Sequence, residues 1–280
     1  MVKKILASLF FTAFSFAVSA QNEEYVQQGE FGITLGGAHY FGDINTRASI
    51  SRPKPALGLF YRKQFGNYVG LRLAAHYAQL GYSDVYSQND YHRTRNLSFN
   101  TNIWEIAAMG DFNFFKFLPN DPDYLFTPYI TLGLGVFSYD PYAYLASKKE
   151  FLRPLGTEGQ NINYQGRKQY GTMGVCIPFG AGIKYNLSEK LNISFEVSHR
   201  YTFTDYLDDV STTYVGIDKF SGPADATARL LQDRSYEIDP DNILGLEGRQ
   251  RGTSKQKDQY LIVELGLSFN ISTYRCPTAN

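Results

Sequence analysis

Four histidines, His39, His76, His92 and His199, are the side chains suited to general acid–base work near neutral pH. His199 precedes Asp205, Asp208, Asp209 and Ser211. A lipid hydrolase or acyltransferase gathers these residue types at one rim as base, orienting acid and nucleophile. Alternation around His199 places its ring on an apolar face, which suits a membrane interface better than a base. Asp205, Asp208 and Asp209 carry enough charge for a divalent cation, but their spacing misses the EF-hand pattern. A solvated or hydrogen-bonded loop explains them. The chain has no glycine-rich phosphate loop, no HExxH and no cysteine-based metal spacing. The expectation is therefore no catalytic site, no cofactor and no metal site.

The elements that would position such groups are strands. Eight segments alternate with period 2, the signature of half-buried β structure. Their apolar faces carry, in order, Phe31, Ile33 and Leu35; Leu57, Leu59 and Tyr61; Val69, Leu71 and Leu73; and Trp104, Ile106 and Ala108. The second half continues with Ile130, Leu132 and Leu134; Ile177, Phe179 and Ala181; Leu191, Ile193 and Phe195; and Leu261, Val263, Leu265 and Leu267. The opposite faces mix glycine with Glu30, Arg62, Arg72, Glu105, Asp111, Lys184, Glu196, Arg200 and Glu264. In a soluble sandwich that face is the solvated outside. In an eight-stranded barrel it is the lumen, narrow enough for side chains to fill and for opposite charges to pair.

Connection lengths separate these two architectures. Gly66-Asn67 makes a tight turn, residues 186–190 a short one, and about a dozen residues around 119–123 join the fourth and fifth segments. The stretches 42–54, 81–100, 138–175 and 201–259 are long. Short turns at one end and long loops at the other is the arrangement of outer-membrane barrels, with periplasmic turns and extracellular loops. Aromatic girdles are expected from Phe65, Tyr68, Phe114, Phe115, Phe126, Tyr185 and Phe269 at the short-turn end, and from Tyr77, Tyr201 and Tyr260 at the other. The reading is an all-β, transmembrane antiparallel β-barrel of eight strands. The long loops 138–175 and 201–259 either cap the mouth through residues 206–215 or recruit another component; the sequence supports both.

The N-terminus assigns a compartment. Lys3 and Lys4 precede an apolar stretch over 5–18, and Val18-Ser19-Ala20 has the form of a signal peptidase site. Residues 1–20 are expected to be a signal peptide and 21–280 the barrel with a periplasmic C-terminal tail. Both termini of the mature chain then lie in the periplasm. The net charge is zero, which argues against a nucleic-acid partner. No small-molecule substrate is expected, and the surrounding solvent is outer-membrane lipid. The chain contains two cysteines, Cys176 and Cys276. The first opens the sixth segment at the long-loop end and the second follows the eighth at the short-turn end. An apolar band of about 25 Å separates those levels, beyond the roughly 7 Å between Cα atoms that a disulfide spans. Cys276 is therefore expected to stay unpaired within the chain and to bridge to a periplasmic partner, against the alternative of an inert thiol.

Several stretches resemble the PorG outer-membrane barrel family of the Bacteroidetes type IX secretion machinery. They are 36–45 (GGAHYFGDIN), 95–99 (RNLSF), 154–160 (PLGTEGQ), 202–215 (TFTDYLDDVSTTYV) and the closing Tyr274-Arg275-Cys276-Pro277. The resemblance implies an outer-membrane component of a secretion and gliding machine that tethers the periplasmic ring built from the lipoprotein PorK and from PorN. On that reading the partner-binding residues are Tyr274, Arg275, Cys276 and Pro277, then Gly66, Asn67 and the turn at 119–123. The competing classes are a small porin-like barrel, a surface adhesin and an outer-membrane lipid-modifying enzyme.

Overall fold

A computed structural model describes residues 27–119, 121–222 and 225–272. Eight long strands run antiparallel: β1 (Gln27–Phe41), β2 (Lys54–Phe65), β3 (Val69–Ser83), β4 (Ser98–Asn113), β5 (Phe126–Ser138), β8 (Met173–Ser188), β9 (Leu191–Thr202) and β10 (Gln259–Ser272). Between β5 and β8 lies a short hairpin of β6 (Tyr142–Leu145) and β7 (Lys148–Phe151). Each long strand pairs with its neighbour, and β1 pairs with β10 from Gln27↔Ser272 to Phe41↔Gln259, so the sheet closes. Closure leaves the barrel wall without an unpaired edge, the condition for a sheet to cross lipid. Among the described residues no helix is long and apolar enough to cross a membrane.

Parity decides which side each residue faces. Leu35, Leu73, Trp104, Leu132, Leu134 and Leu265 are each 58–66% exposed on the outer wall. A soluble monomer rarely shows a contiguous apolar patch beyond a few hundred Å², and this wall encircles the molecule. Lipid is the solvent that accepts it. The inward parity brings Glu30 opposite Arg62, and Arg62 opposite Arg72, across the β1–β2 and β2–β3 registers. Gly32 makes room for one large ring there: a Cβ at Gly32 would sit 2.5 Å from Phe60 Cζ.

The short turns gather at one end. Gly66 takes φ +71° between β2 and β3, a left-handed conformation that favours glycine. The described ends of β1 and β10 lie at the same end. At the opposite end the strands run on past the apolar wall, and the main hydrophobic core sits there rather than mid-barrel. Ile44, Leu80, Leu97, Phe99, Phe137, Leu207, Val210 and Leu231 form much of it. All four long connections supply it, through Ile44, Leu97, Ala143 with Leu152, and Leu207 with Leu231. This settles the loop question toward a cap: Leu207, Val210, Tyr214 and Val215 are all buried.

One expectation is corrected. Tyr260 is not part of an outer girdle, because its inward parity with Ile262 and Glu264 buries it in the lumen. Its hydroxyl donates to Glu105 Oε2 at 2.5 Å. The Asp205, Asp208 and Asp209 loop takes the hydrogen-bonded form of the two expected: all three side chains are buried within the cap and bonded there. The signal peptide and Tyr274, Arg275, Cys276 and Pro277 lie outside the described residues.

Candidate functional site

The lumen is built in three tiers. At the short-turn end Glu30 of β1 is the hub. Arg62 Nη1 from β2 donates to its Oε1 at 2.5 Å and Lys184 Nζ from β8 at 3.2 Å. Asn192 and Ser268 donate to its Oε2 at 3.0 and 2.6 Å. Lys184 also lies 4.3 Å from the ring centre of Phe117. The middle tier is a two-pronged pair: Arg72 Nη1 and Nη2 donate to Glu196 Oε2 and Oε1 at 2.7 and 3.1 Å. Tyr129 donates to the same carboxylate at 2.7 Å. Asp111 links the two lower tiers by accepting from Arg62 Nε and facing Arg72 Nη2 at 3.4 Å.

The upper tier centres on Glu105. Arg200 Nε lies 3.3 Å from Glu105 Oε2, and Tyr260 donates to that oxygen. His76 faces Glu105 with Nδ1 at 3.3 Å and Glu264 with Nε2 at 3.5 Å. Five carboxylates (Glu30, Glu105, Asp111, Glu196, Glu264) thus share the lumen with Arg62, Arg72, Lys184 and Arg200. His76, with both ring nitrogens facing carboxylates, supplies a fifth cation when it is protonated. All of Arg62, Arg72, Glu105, Asp111, Lys184, Glu196, Arg200 and Glu264 are buried. The tiers occupy the space a channel would need.

The cap closes the long-loop end by polar contacts between loops distant in sequence. Glu158 Oε1 accepts from the Ser211 and Thr212 backbone at 2.9 and 3.1 Å and from Arg251 Nη1 at 3.1 Å. Thr157 and Tyr170 donate to Asp209. Arg95 grips Asp84 with two bonds of 2.7 Å and donates to the carbonyls of Arg251 and Asp43. At the cap floor Tyr40 contacts both Asp208 and Asp258. Burial, then the neighbouring Asp43, holds the Asp208 carboxyl well above its ordinary range. Burial, then Asp208, does the same for Asp258. Burial pushes Asp205 and Asp209 up to about 6, with Ser211 and Arg251 respectively opposing it.

The residues singled out for chemistry are not brought together. His199 lies on the outer wall with Nε2 2.6 Å from Gln259 Oε1, beside the rings of Phe179 and Phe41. Ser211 donates instead to Asp205 Oδ2 at 2.5 Å inside the cap. No group of three or more His, Cys, Asp or Glu fit for a metal occurs among the described residues. Cys176 is buried with Sγ 3.7 Å from Glu105 Oε2. At the short-turn end, the Asn67 carbonyl accepts from Asn113 Nδ2 at 3.3 Å. Sequence reasoning placed His76 on the inner face without assigning it to the ion-pair network and did not single out Tyr129. The scarcity of histidine, set on an otherwise charged inner face, was the signal for the former.

Residues 3–214 match the family described as "Domain of unknown function (DUF6089)". No curated protein sequence matches the chain. Among solved structures it is similar to Neisserial surface protein A, with 9% identity and a TM-score of 0.42, covering 87% of this chain and 97% of that one. It is similar to the N-terminal β-barrel domain of Pseudomonas aeruginosa OprF, with 11% identity and a TM-score of 0.37, covering 88% and 99%. It is similar also to Ail, the attachment invasion locus protein of Yersinia pestis, with 11% identity and a TM-score of 0.39, covering 87% and 99%.

Proposed function

The chain belongs to the DUF6089 family, and we propose that it is a non-conducting outer-membrane barrel that anchors or organises the periplasmic PorK–PorN ring of a type IX secretion machine. The observation that carries the first half is the lumen: paired charges fill it through three tiers, and loops seal its long-loop end. A barrel that passes nothing through its centre acts through its surfaces. The type IX assignment rests on the sequence resemblance. Two of the stretches that carry it, 154–160 and 202–215, bind one another through Glu158, Ser211 and Thr212. The resemblance therefore falls on a folded unit, the cap, and not on strand pattern alone.

On this reading the long loops are extracellular, and both termini and the Gly66-Asn67 and 119–123 turns are periplasmic. The tail residues Tyr274, Arg275, Cys276 and Pro277 follow β10 in sequence and are proposed to grip the ring, with Cys276 able to form a disulfide to it. The test is affinity purification of the tagged barrel from cross-linked outer membranes of the native host. Recovery of PorK and PorN with the wild type is expected. Their absence from the eluate of a folded barrel overturns the assignment. Cys276→Ser should weaken recovery under non-reducing conditions; unchanged recovery removes the covalent link alone.

A further inference from the structure

The β6–β7 hairpin stands on the barrel wall as an extension of it. Tyr142 pairs with Asn100 of β4, four residues beyond Trp104 toward the long-loop end. At about 3.3 Å per residue and a strand tilt near 40°, this puts Tyr142 about 10 Å beyond Trp104, measured along the barrel axis. Trp104 is 64% exposed and packs on Tyr77 with ring centres 4.7 Å apart, marking the upper edge of the lipid-facing wall. The hairpin thus begins at the level of lipid headgroups.

Its two faces differ. Ala143 points inward and is buried in the cap core. Tyr144 (50% exposed) and Phe151 (41% exposed) face outward, continuing the side of the wall that carries Trp104. Phe151 is registered against Tyr142, and Lys149 against Tyr144. Lys149 Nζ lies 3.8 Å from the ring centre of Tyr142 and 4.6 Å from that of Phe151. Ring faces hold an ammonium without neutralising it. Lys148 instead pairs with Glu150 at 2.6 Å. A second ammonium, Lys54, bonds to Asn100 at the hairpin's base. Asp140, just before β6, is the other nearby carboxylate, with Arg153 and Lys149 both acting on it.

We infer that this outward face binds the phosphate-bearing headgroup of a lipid in the leaflet at the long-loop end, with Lys149 as the anionic contact and Tyr144 and Phe151 against the lipid body. Continuity with the lipid-facing wall identifies the occupant as a lipid, and the exposed ammonium identifies its charge. A basic side chain at a membrane surface strengthens association with anionic lipid about fivefold. The inference rests on the barrel spanning a membrane and is independent of any periplasmic partner.

The test uses the full-length barrel reconstituted in phosphatidylcholine vesicles with or without lipid A, extracted gently and weighed by native mass spectrometry. Wild type should retain lipid A, and Lys149→Ala should retain it about fivefold less. Lys149→Arg should restore retention and Lys149→Glu should abolish it. Lipid A stripped of phosphate should not be retained, and free inorganic phosphate should not compete. A heat-dependent gel shift identifies folded barrel in every variant. Equal retention by wild type and Lys149→Glu, equal retention of dephosphorylated lipid, or a hairpin occupied by a second copy in a stable dimer would each overturn the proposal.

Discussion

Asp208 and Asp258 share one hydroxyl: Tyr40 Oη lies 2.5 Å from Asp208 Oδ2 and 2.9 Å from Asp258 Oδ1. Their remaining oxygens accept from backbone, Asp208 Oδ1 from Val210 and Asp258 Oδ2 from Leu207. A hydroxyl has one hydrogen to donate. Satisfying both contacts requires one carboxyl to be protonated and to donate to Tyr40. The nearby guanidinium groups are engaged elsewhere, Arg95 with Asp84 and Arg251 with Glu158. The cap floor is therefore held by a proton.

That proton makes the cap pH-sensitive. Burial and then the neighbouring carboxylate raise Asp208 and Asp258 above their ordinary range, so the closed cap binds protons more tightly than the open one. Closure is then fully favoured below about pH 4, the free carboxyl value, and weakens as pH rises through the raised values. Asp205 and Asp209, both near 6, lose their contribution between about pH 4 and 6, and Asp208 and Asp258 carry the loss further up. Amide-exchange protection over 203–258 should fall as the pH rises above about 4, by up to about tenfold per pH unit for each proton lost. Asp258→Asn, which donates without titrating, should flatten this dependence. Identical pH profiles for the two proteins would show that the pair is not the latch.

Gly42 supplies the steric counterpart. A Cβ there would sit 2.0 Å from both Tyr40 Oη and Asp258 Oδ1. Gly42→Ala must push these groups apart, at a cost of about 1–3 kcal/mol for overpacking. The barrel should still fold and shift on a gel, while residues 203–258 become sensitive to protease. An alanine variant as resistant as wild type would contradict the tight contact.

The barrel was legible because a strand's period is set by its backbone: once Leu59 faces lipid, Phe60 must face inward. That rule placed Arg62, Arg72, Glu105 and Glu196 on one inner face before their partners were known. It also contradicted the girdle assignment of Tyr260, which shares inward parity with Ile262 and Glu264; aromatic type was given weight over register. The β6–β7 hairpin lacked its usual sign, since Ala146 and Ser147 turn it at φ 47° and 67° where glycine or asparagine is common. The cap was illegible for another reason. Its contacts, such as Glu158 with Thr212 and Arg95 with Arg251, join loops that local pattern does not relate.

The middle tier offers a test of how the lumen is held. Arg72→Ala leaves Glu196 buried with Tyr129 but without a cation. Breaking a buried pair from one side costs about 3–5 kcal/mol. Arg72→Met with Glu196→Gln removes both charges and should cost much less. Urea unfolding of the barrel in lipid vesicles, run on Arg72→Met, Glu196→Gln and the double variant as a double-mutant cycle, measures the coupling. Equal destabilisation by the single and double variants would mean that the pair contributes shape rather than charge balance.

Conductance separates the cap from the lumen as the seal. Wild-type barrel in a planar bilayer should show no stable open state, because Arg62, Arg200, Tyr129, Tyr260 and Lys184 are buried across successive tiers. Opening the cap with Gly42→Ala, or by raising the pH, should leave it silent, since the tiers lie below the cap and keep their ion pairs. Truncating the whole middle tier, with Arg72→Ala, Tyr129→Ala and Glu196→Ala, removes the filling from mid-lumen. An eight-stranded barrel has an interior just wide enough for side chains, so even this variant should give only small, brief currents. Steady conductance from the wild type would return the protein to the porin-like class and remove the argument that it acts through its surfaces alone.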